Sequence, residues 1–333
     1  MPSRPGSRRR RGEVDLTCRV GSLTLPNPVM TASGTSGHGA ELSAYFPLAS
    51  LGAVVVKSLS AYPWAGNAAP RVHETSSGML NSVGLQGPGV EAWLADELPA
   101  LVAAGARVVV SIWGQTVDDY RRAAEMLAGA PAEVVAVEVN VSCPNLEDRR
   151  RMFAHSPAAT EEVLAATEGC GRPRWAKLSP NVTELVEISD AARRGGAEAV
   201  TLVNTLMGIA IDPETRQYRL GAGGGGLSGA ALHPVAVRAV HDVAAALPGL
   251  PIVGVGGVAS GEDAAELLLA GASAVQVGTA TFADPRAPAL VLAGLRAWCR
   301  RQGVRRIGDV VGAVHRTPVA SAAQQREVPA CPR

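Results

Sequence analysis

Arg193-Arg194-Gly195-Gly196-Ala197-Glu198-Ala199-Val200 reads as the end of a helix, a glycine stop and the start of a buried strand. The same grammar returns in Leu269-Ala270-Gly271-Ala272-Ser273-Ala274-Val275. Working outward from these two joints, short apolar runs and amphipathic runs alternate along the chain. Strands are predicted over Val29 to Ala32, Ala53 to Lys57, Arg107 to Ile112, Val134 to Asn140, Trp175 to Leu178, Ala199 to Val203, Pro251 to Val255 and Ala274 to Val277. Helices are predicted over Ala40 to Leu48, Val90 to Ala104, Val117 to Ala128, Ala158 to Glu168, Val182 to Arg194, Pro234 to Ala246, Gly261 to Ala270 and Pro288 to Gln302. Continuous apolar strands imply burial on both faces, hence a parallel sheet. Eight strand-and-helix pairs in this length favour a closed (β/α)8 TIM barrel over a doubly wound sheet. Alternation from Val14 to Asn27 around Gly21 predicts a short hairpin ahead of it. The barrel is expected to be one domain spanning 13–312, with a disordered basic leader over 1–12 and a flexible tail over 313–333.

Two strand-to-helix connections are too long to be simple turns, Ser58 to Gly89 and Asn204 to Gly229, and connections of this length are expected to be binding loops or lids on the ligand face. On that same face the run Val139-Asn140-Val141-Ser142-Cys143-Pro144-Asn145 ends a strand with small polar groups and one ionisable thiol. The glycines of Gly254-Val255-Gly256-Gly257 and Gly278-Thr279 follow the seventh and eighth strands, where bare backbone and the next helix's amino end can hold a phosphate. Lys57 and Lys177 stand at strand ends, where an inward ammonium calls for an anionic ligand or an electron-rich ring. Asn81, Asn140, Asn204 and Thr205 supply groups that could read a planar polar heterocycle. Cys143 can serve as nucleophile or proton acceptor, and sequence alone leaves both open.

Composition narrows the classes. A net charge of +1 offers no field for nucleic acid, and the one basic block, Arg8 to Arg11, lies in the leader. No apolar segment long enough for a membrane span or a signal peptide is present, so a cytoplasmic enzyme is expected. The cysteines Cys18, Cys143, Cys170, Cys299 and Cys331 are scattered, without metal-ligand spacing, so no metal is expected and a reducing compartment fits. Apart from Cys143 they read as structural or incidental.

From about Val14 to about Val310 the chain resembles the dihydroorotate dehydrogenase family. The resemblance is carried, in order, by Asn27-Pro28, Ala32-Ser33-Gly34-Thr35, Lys57-Ser58-Leu59, Gly66-Asn67, Pro70-Arg71, Met79-Leu80-Asn81, Gly84-Leu85-Gln86, Asn140 to Asn145, Lys177-Leu178-Ser179-Pro180-Asn181, Asn204-Thr205, Gly225 to Gly229, Gly256-Gly257 and Gly278-Thr279. It implies FMN as cofactor, with Ser33, Lys57, Ser58, Ser111, Asn140, Lys177 and Val203 around its ring and Gly229, Gly256, Gly257, Gly278 and Thr279 at its ribityl-phosphate end. It implies that dihydroorotate is held by Lys57, Asn81, Ser82, Val83, Gly84, Leu85, Asn140, Asn204 and Thr205. Cys143 would take the C5 proton while hydride passes from C6 to flavin N5, giving orotate in pyrimidine biosynthesis.

A cysteine base is similar to the class 1 enzymes. Gly84-Leu85-Gln86 and Val182-Thr183-Glu184 look like class 1B, whose catalytic subunit forms a homodimer and joins a separate FAD/iron–sulfur subunit in a heterotetramer that serves NAD. A class 1A homodimer using fumarate is the alternative. Two departures stand out: Ser111, with Trp113 close behind, where the family often has Asn, and the charged run Leu146 to Phe153 in place of a glycine-rich loop. They leave room for a paralogue acting on another dihydropyrimidine or an enone. A non-redox phosphate-binding lyase or aldolase with a Schiff-base lysine, and an inert barrel, are the readings from other classes.

Overall fold

The computed structural model describes residues 14–142 and 152–316. Eight short parallel strands form its centre: β1 (Val29–Thr31), β2 (Val54–Val55), β3 (Val108–Ile112), β4 (Val134–Asn140), β5 (Arg174–Leu178), β6 (Ala199–Leu202), β7 (Ile252–Val255) and β8 (Ala274–Val277). Their order around the ring is β1-β8-β7-β6-β5-β4-β3-β2, and a parallel bridge from Met30 to Ala53 closes it. Every residue of β3 is buried, as the Val-Val-Val-Ser-Ile run requires of a strand packed on both faces. Val110 and Ile112 are fully buried, and each such Val, Leu or Ile contributes on the order of 1.5–3 kcal/mol. The (β/α)8 barrel expected from the alternation is the observed fold.

Helices cover the barrel: α1 (residues 90–103), α2 (Val117–Met126), α3 (Pro157–Ala166), α4 (Leu185–Arg194), α5 (His233–Ala246), α6 (Gly261–Ala270), the single turn α7 (Ala280–Ala283) and α8 (Ala287–Arg301). Thr116 with Asp119, and Ser260 with Asp263, form reciprocal capping boxes that start α2 and α6. Within α1 the stretch Trp93–Glu97 widens to a π-helix just ahead of Pro99, whose missing N–H cannot continue the regular ladder.

One predicted helix is absent. Residues 40–48 form two 3₁₀ turns, Glu41–Ala44 and Leu48–Ser50. Ala40 offers no side-chain cap and Pro47 interrupts the ladder, so too few residues remain to offset helix nucleation. The predicted hairpin is present as Cys18–Val20 paired with Leu23–Leu25.

The two long connections are not loops throughout. Val72–Thr75 and Gly78–Asn81 from the first pair with Gly224–Ser228 and Leu206–Ile209 from the second, in one four-stranded antiparallel sheet. This sheet stands over the carboxyl ends of the barrel strands and forms part of the wall described below. Of the expected tail, Ala313–Arg316 form a 3₁₀ turn, with a His315 ring nitrogen 2.9 Å from the Ala270 carbonyl. The leader (1–12), the remaining tail (317–333) and residues 143–151, which include Cys143 and most of the charged run, lie outside the described residues.

Candidate active site

At the carboxyl ends of the strands lies a cavity of about 260 Å³. Asn140, the last residue of β4, is the hub of its polar wall. Its Oδ1 accepts from Asn204 Nδ2 (3.1 Å) and from the backbone amide of Ser142 (3.3 Å), while its Nδ2 donates to Ser58 Oγ (3.4 Å). Its carbonyl accepts from Tyr120 on α2 at 2.7 Å, which ties the strand end to a packed helix. Ser58 Oγ lies 2.9 Å from Ser111 Oγ. Amides and hydroxyls are thereby oriented before any ligand arrives.

Lys177 on β5 is 6% exposed. Its Nζ donates to Ser33 Oγ at 3.0 Å and lies 3.8 Å from Glu138 Oε1. Strand periodicity places Glu138 on the same face of β4 as Asn140, one layer deeper. The second Glu138 oxygen accepts from Gln276 Nε2 at 2.7 Å, and both residues are fully buried. Lys57 and Ser58 follow β2, Ser33 follows β1, and Val203, Asn204 and Thr205 follow β6; all of these line the cavity. His38, close to Lys57, has its imidazole held below the usual value, by burial first and then by Lys57, against an opposing pull from Glu41.

The opposite wall is backbone. Gly229, Gly256, Gly257, Gly278 and Thr279 line it, and Thr279 Oγ1 donates to Ser228 Oγ at 2.8 Å. Gly256 has φ +143°, and a Cβ there would come within 2.6 Å of Ala236 Cβ, so turn geometry and packing alone require glycine. Gly278 differs. A Cβ there would meet only Ala32 Cβ, at an ordinary 3.5 Å, so the protein's own packing leaves room for a side chain that the cavity wall lacks.

The helix ends contribute less than the sequence suggested. Asp263 already accepts from the amides of Ala259 and Ser260, while Ser260 Oγ takes that of Asp263, which caps α6. The helix after β8, α7, has a single turn and a correspondingly small dipole. An anion at this wall would rest chiefly on main-chain amides.

The structure brings most predicted residues together. Ser33, Lys57, Ser58, Asn81, Val83, Gly84, Leu85, Asn140, Lys177, Val203, Asn204, Thr205 and the five residues of the backbone wall share the cavity. Ser82 and Ser111 are buried and do not line it; Ser111 meets the wall through its hydrogen bond with the Ser58 hydroxyl. Cys143 is outside the described residues, and the chain reaches it from Ser142 on the wall. The Cys18 thiol is pushed up to about 12 by burial, and burial also raises those of Cys170 and Cys299, so none of these is a base near neutral pH. Sequence reading missed Glu138 and Gln276. The signal was present: each is a polar residue in an apolar strand, two positions before a named site residue.

Among the described residues no group of three His, Cys, Asp or Glu side chains could hold a metal ion, and no helix is long and apolar enough to cross a membrane. One wall of amides, hydroxyls and an ammonium, facing another of bare backbone, suits an elongated ligand with a polar ring and an anionic tail. FMN has that form. The buried Ser142 Oγ, on the wall and without a partner among the described residues, and the spare room at Gly278 both fit such an occupant.

The comparisons with known proteins agree. The family model described as Dihydroorotate dehydrogenase matches residues 15–298. A protein of Desulforudis audaxviator (strain MP104C) named Dihydroorotate dehydrogenase B (NAD(+)), catalytic subunit, is 49% identical over 306 residues, covering 92% of this chain and 99% of the relative. One of the same name from Alkaliphilus oremlandii (strain OhILAs) is 47% identical over 294 residues, covering 88% and 96%. A relative from Solibacter usitatus (strain Ellin6076), whose name gives fumarate as acceptor, is 45% identical over 298 residues, covering 89% and 97%. The chain belongs to the dihydroorotate dehydrogenase family.

Proposed function

We propose that this chain is the catalytic subunit of a class B dihydroorotate dehydrogenase, oxidising (S)-dihydroorotate to orotate with FMN. The observation that carries the reading is the Asn140 hub, with Lys177, Ser33, Asn204 and Ser58 converging on one cavity in a chain of this family. Lys177, Ser33, Ser58, Asn140 and Val203 would lie around the isoalloxazine ring, and Gly229, Gly256, Gly257, Gly278 and Thr279 along the ribityl phosphate. When bound, FMN supplies the hydride acceptor. Lys57 would pair with the substrate carboxylate, while Asn81, Asn140, Asn204 and Thr205 hold the pyrimidine edge, with Val83, Gly84 and Leu85 beside it and Ser82 behind them. Fixing the ring in this way brings its C5–H toward the chain that continues from Ser142 into Cys143, whose thiolate takes that proton.

Electrons would leave through a separate FAD and iron–sulfur subunit to NAD, with two catalytic chains and two partners in a cytoplasmic heterotetramer. The two relatives named for NAD(+) support that acceptor over fumarate. The deciding experiment is anaerobic mixing of the purified yellow protein with dihydroorotate. The flavin absorbance should bleach in the wild type and far more slowly in Cys143→Ser. A flavin left oxidised by dihydroorotate but reduced by another dihydropyrimidine would replace the substrate assignment. Copurification of a flavin and iron–sulfur protein tests the partner.

A further inference from the structure

Glu138 is the least expected residue in the barrel. Its carboxylate is fully buried, one oxygen bonds Gln276 Nε2, and Oε1 has no hydrogen-bond partner among the described residues. Gln276 is equally buried, and its own Oε1 is likewise unpartnered there. Barrel closure does not call for this arrangement. The neighbouring positions of β4 are Val and Ala, and replacing a buried ion pair by apolar residues of similar volume is commonly neutral or stabilising. Among the described residues the carboxylate pairs with Lys177, whose Nζ is 3.8 Å from Oε1. Ser33 holds the same ammonium from the cavity rim. The amine is thus held between a hydroxyl at the wall and a carboxylate one strand layer deeper, about 6.6 Å along β4 from Asn140.

We propose that Glu138, braced by Gln276, is a positioning residue. It fixes the Lys177 ammonium at the cavity floor, and through that ammonium it governs affinity for FMN without touching the cofactor. The inference rests on the FMN reading above. Its first test is a cycle of four proteins: wild type, Glu138→Gln, Lys177→Met and the double variant. Each is stripped of flavin and titrated with FMN, following the quenching of flavin fluorescence. Glu138→Gln should weaken binding about tenfold, and the double variant should bind no more weakly than Lys177→Met alone, because the two residues act as one unit. Independent, multiplying losses, or a folded Glu138→Gln that binds FMN as the wild type does, would overturn the proposal.

The second test needs no cofactor. Lys177→Met leaves a buried carboxylate without its cation, so its flavin-free form should melt several degrees below Glu138→Met/Lys177→Met, in which both charges are gone. Equal melting temperatures, or a lower one for the double variant, would show that the two side chains are not paired. If the wild type fails to take up FMN, the cofactor reading falls while the melting comparison still decides the pair. If Glu138→Gln does not fold, the methionine variants carry the test.

Discussion

β4 and β5 present side chains to the cavity near their carboxyl ends, Asn140 and Lys177, whereas β7 and β8 are followed by bare backbone at Gly256-Gly257 and Gly278. The first wall can discriminate one heterocycle from another, at the cost of burying an ammonium and a carboxylate. The second can accept a tail of fixed charge, at the cost of backbone conformations that side chains resist. Substitutions in the first should therefore change chemistry with the fold intact, and those in the second should change fold and binding together, except where the backbone has room to spare.

The largest effect belongs to Cys143, the residue that follows Ser142 in the sequence. Cys143→Ala should slow flavin reduction by dihydroorotate about 10²- to 10⁴-fold, the range for loss of a general base, with the melting temperature nearly unchanged. Stopped-flow bleaching measures it; a loss below tenfold would remove Cys143 from that role. Next comes the hub. Asn140→Ala strips partners from Asn204 and Ser58, and misplacement of the ring should slow flavin reduction on the order of 10²-fold. An unchanged rate would mean that the hub does not orient the ring.

The backbone wall offers an internal contrast. Gly256→Val must adopt φ +143° against Ala236, so strain of about 1–3 kcal/mol should lower the urea midpoint. Gly278→Ala has room in the protein, so its midpoint should stay put while FMN affinity falls roughly tenfold, about 1.4 kcal/mol. If Gly278→Ala loses stability and keeps its affinity, glycine is there for the turn and the phosphate assignment weakens.

The smallest effect is a pH dependence behind Lys57. His38 is held below its ordinary value in the fold, by burial and then by Lys57, so the unfolded chain takes up the proton first as pH falls. Stability is then lost on going below about pH 6.5, the ordinary imidazole value, until the folded-state value is passed. The melting temperature of His38→Gln should fall less than that of the wild type between pH 8 and pH 5. Parallel curves would show that His38 contributes nothing to the acid response.

Much of this was legible because aliphatic strands and glycine stops are local signals. Val108 to Ile112 and Gly261 to Ala270 announce themselves within one window. Residues 40–48 misled because an apolar, alanine-containing run looks helical until the missing cap and Pro47 are weighed together. The sheet over the cavity was invisible for another reason. Asn81 and Gly226 pair across 145 positions, and Gly221 to Gly226 by themselves read as a loop. Glu138 was missed because an acid inside an apolar strand has no partner within its own window. Its meaning depends on Lys177 and Gln276, which reach it from two other strands.

That cross-chain pairing also limits how the cavity can be redesigned. Leu80 lies opposite Leu227, and Asn81 opposite Gly226, so the two long connections share one register. Inserting a single residue into either paired segment would turn its following side chains to the other face, and within 78–81 it would take Asn81 away from the cavity. Length changes aimed at a new ring must therefore fall outside 78–81 and 224–228, or be made in matched steps of two.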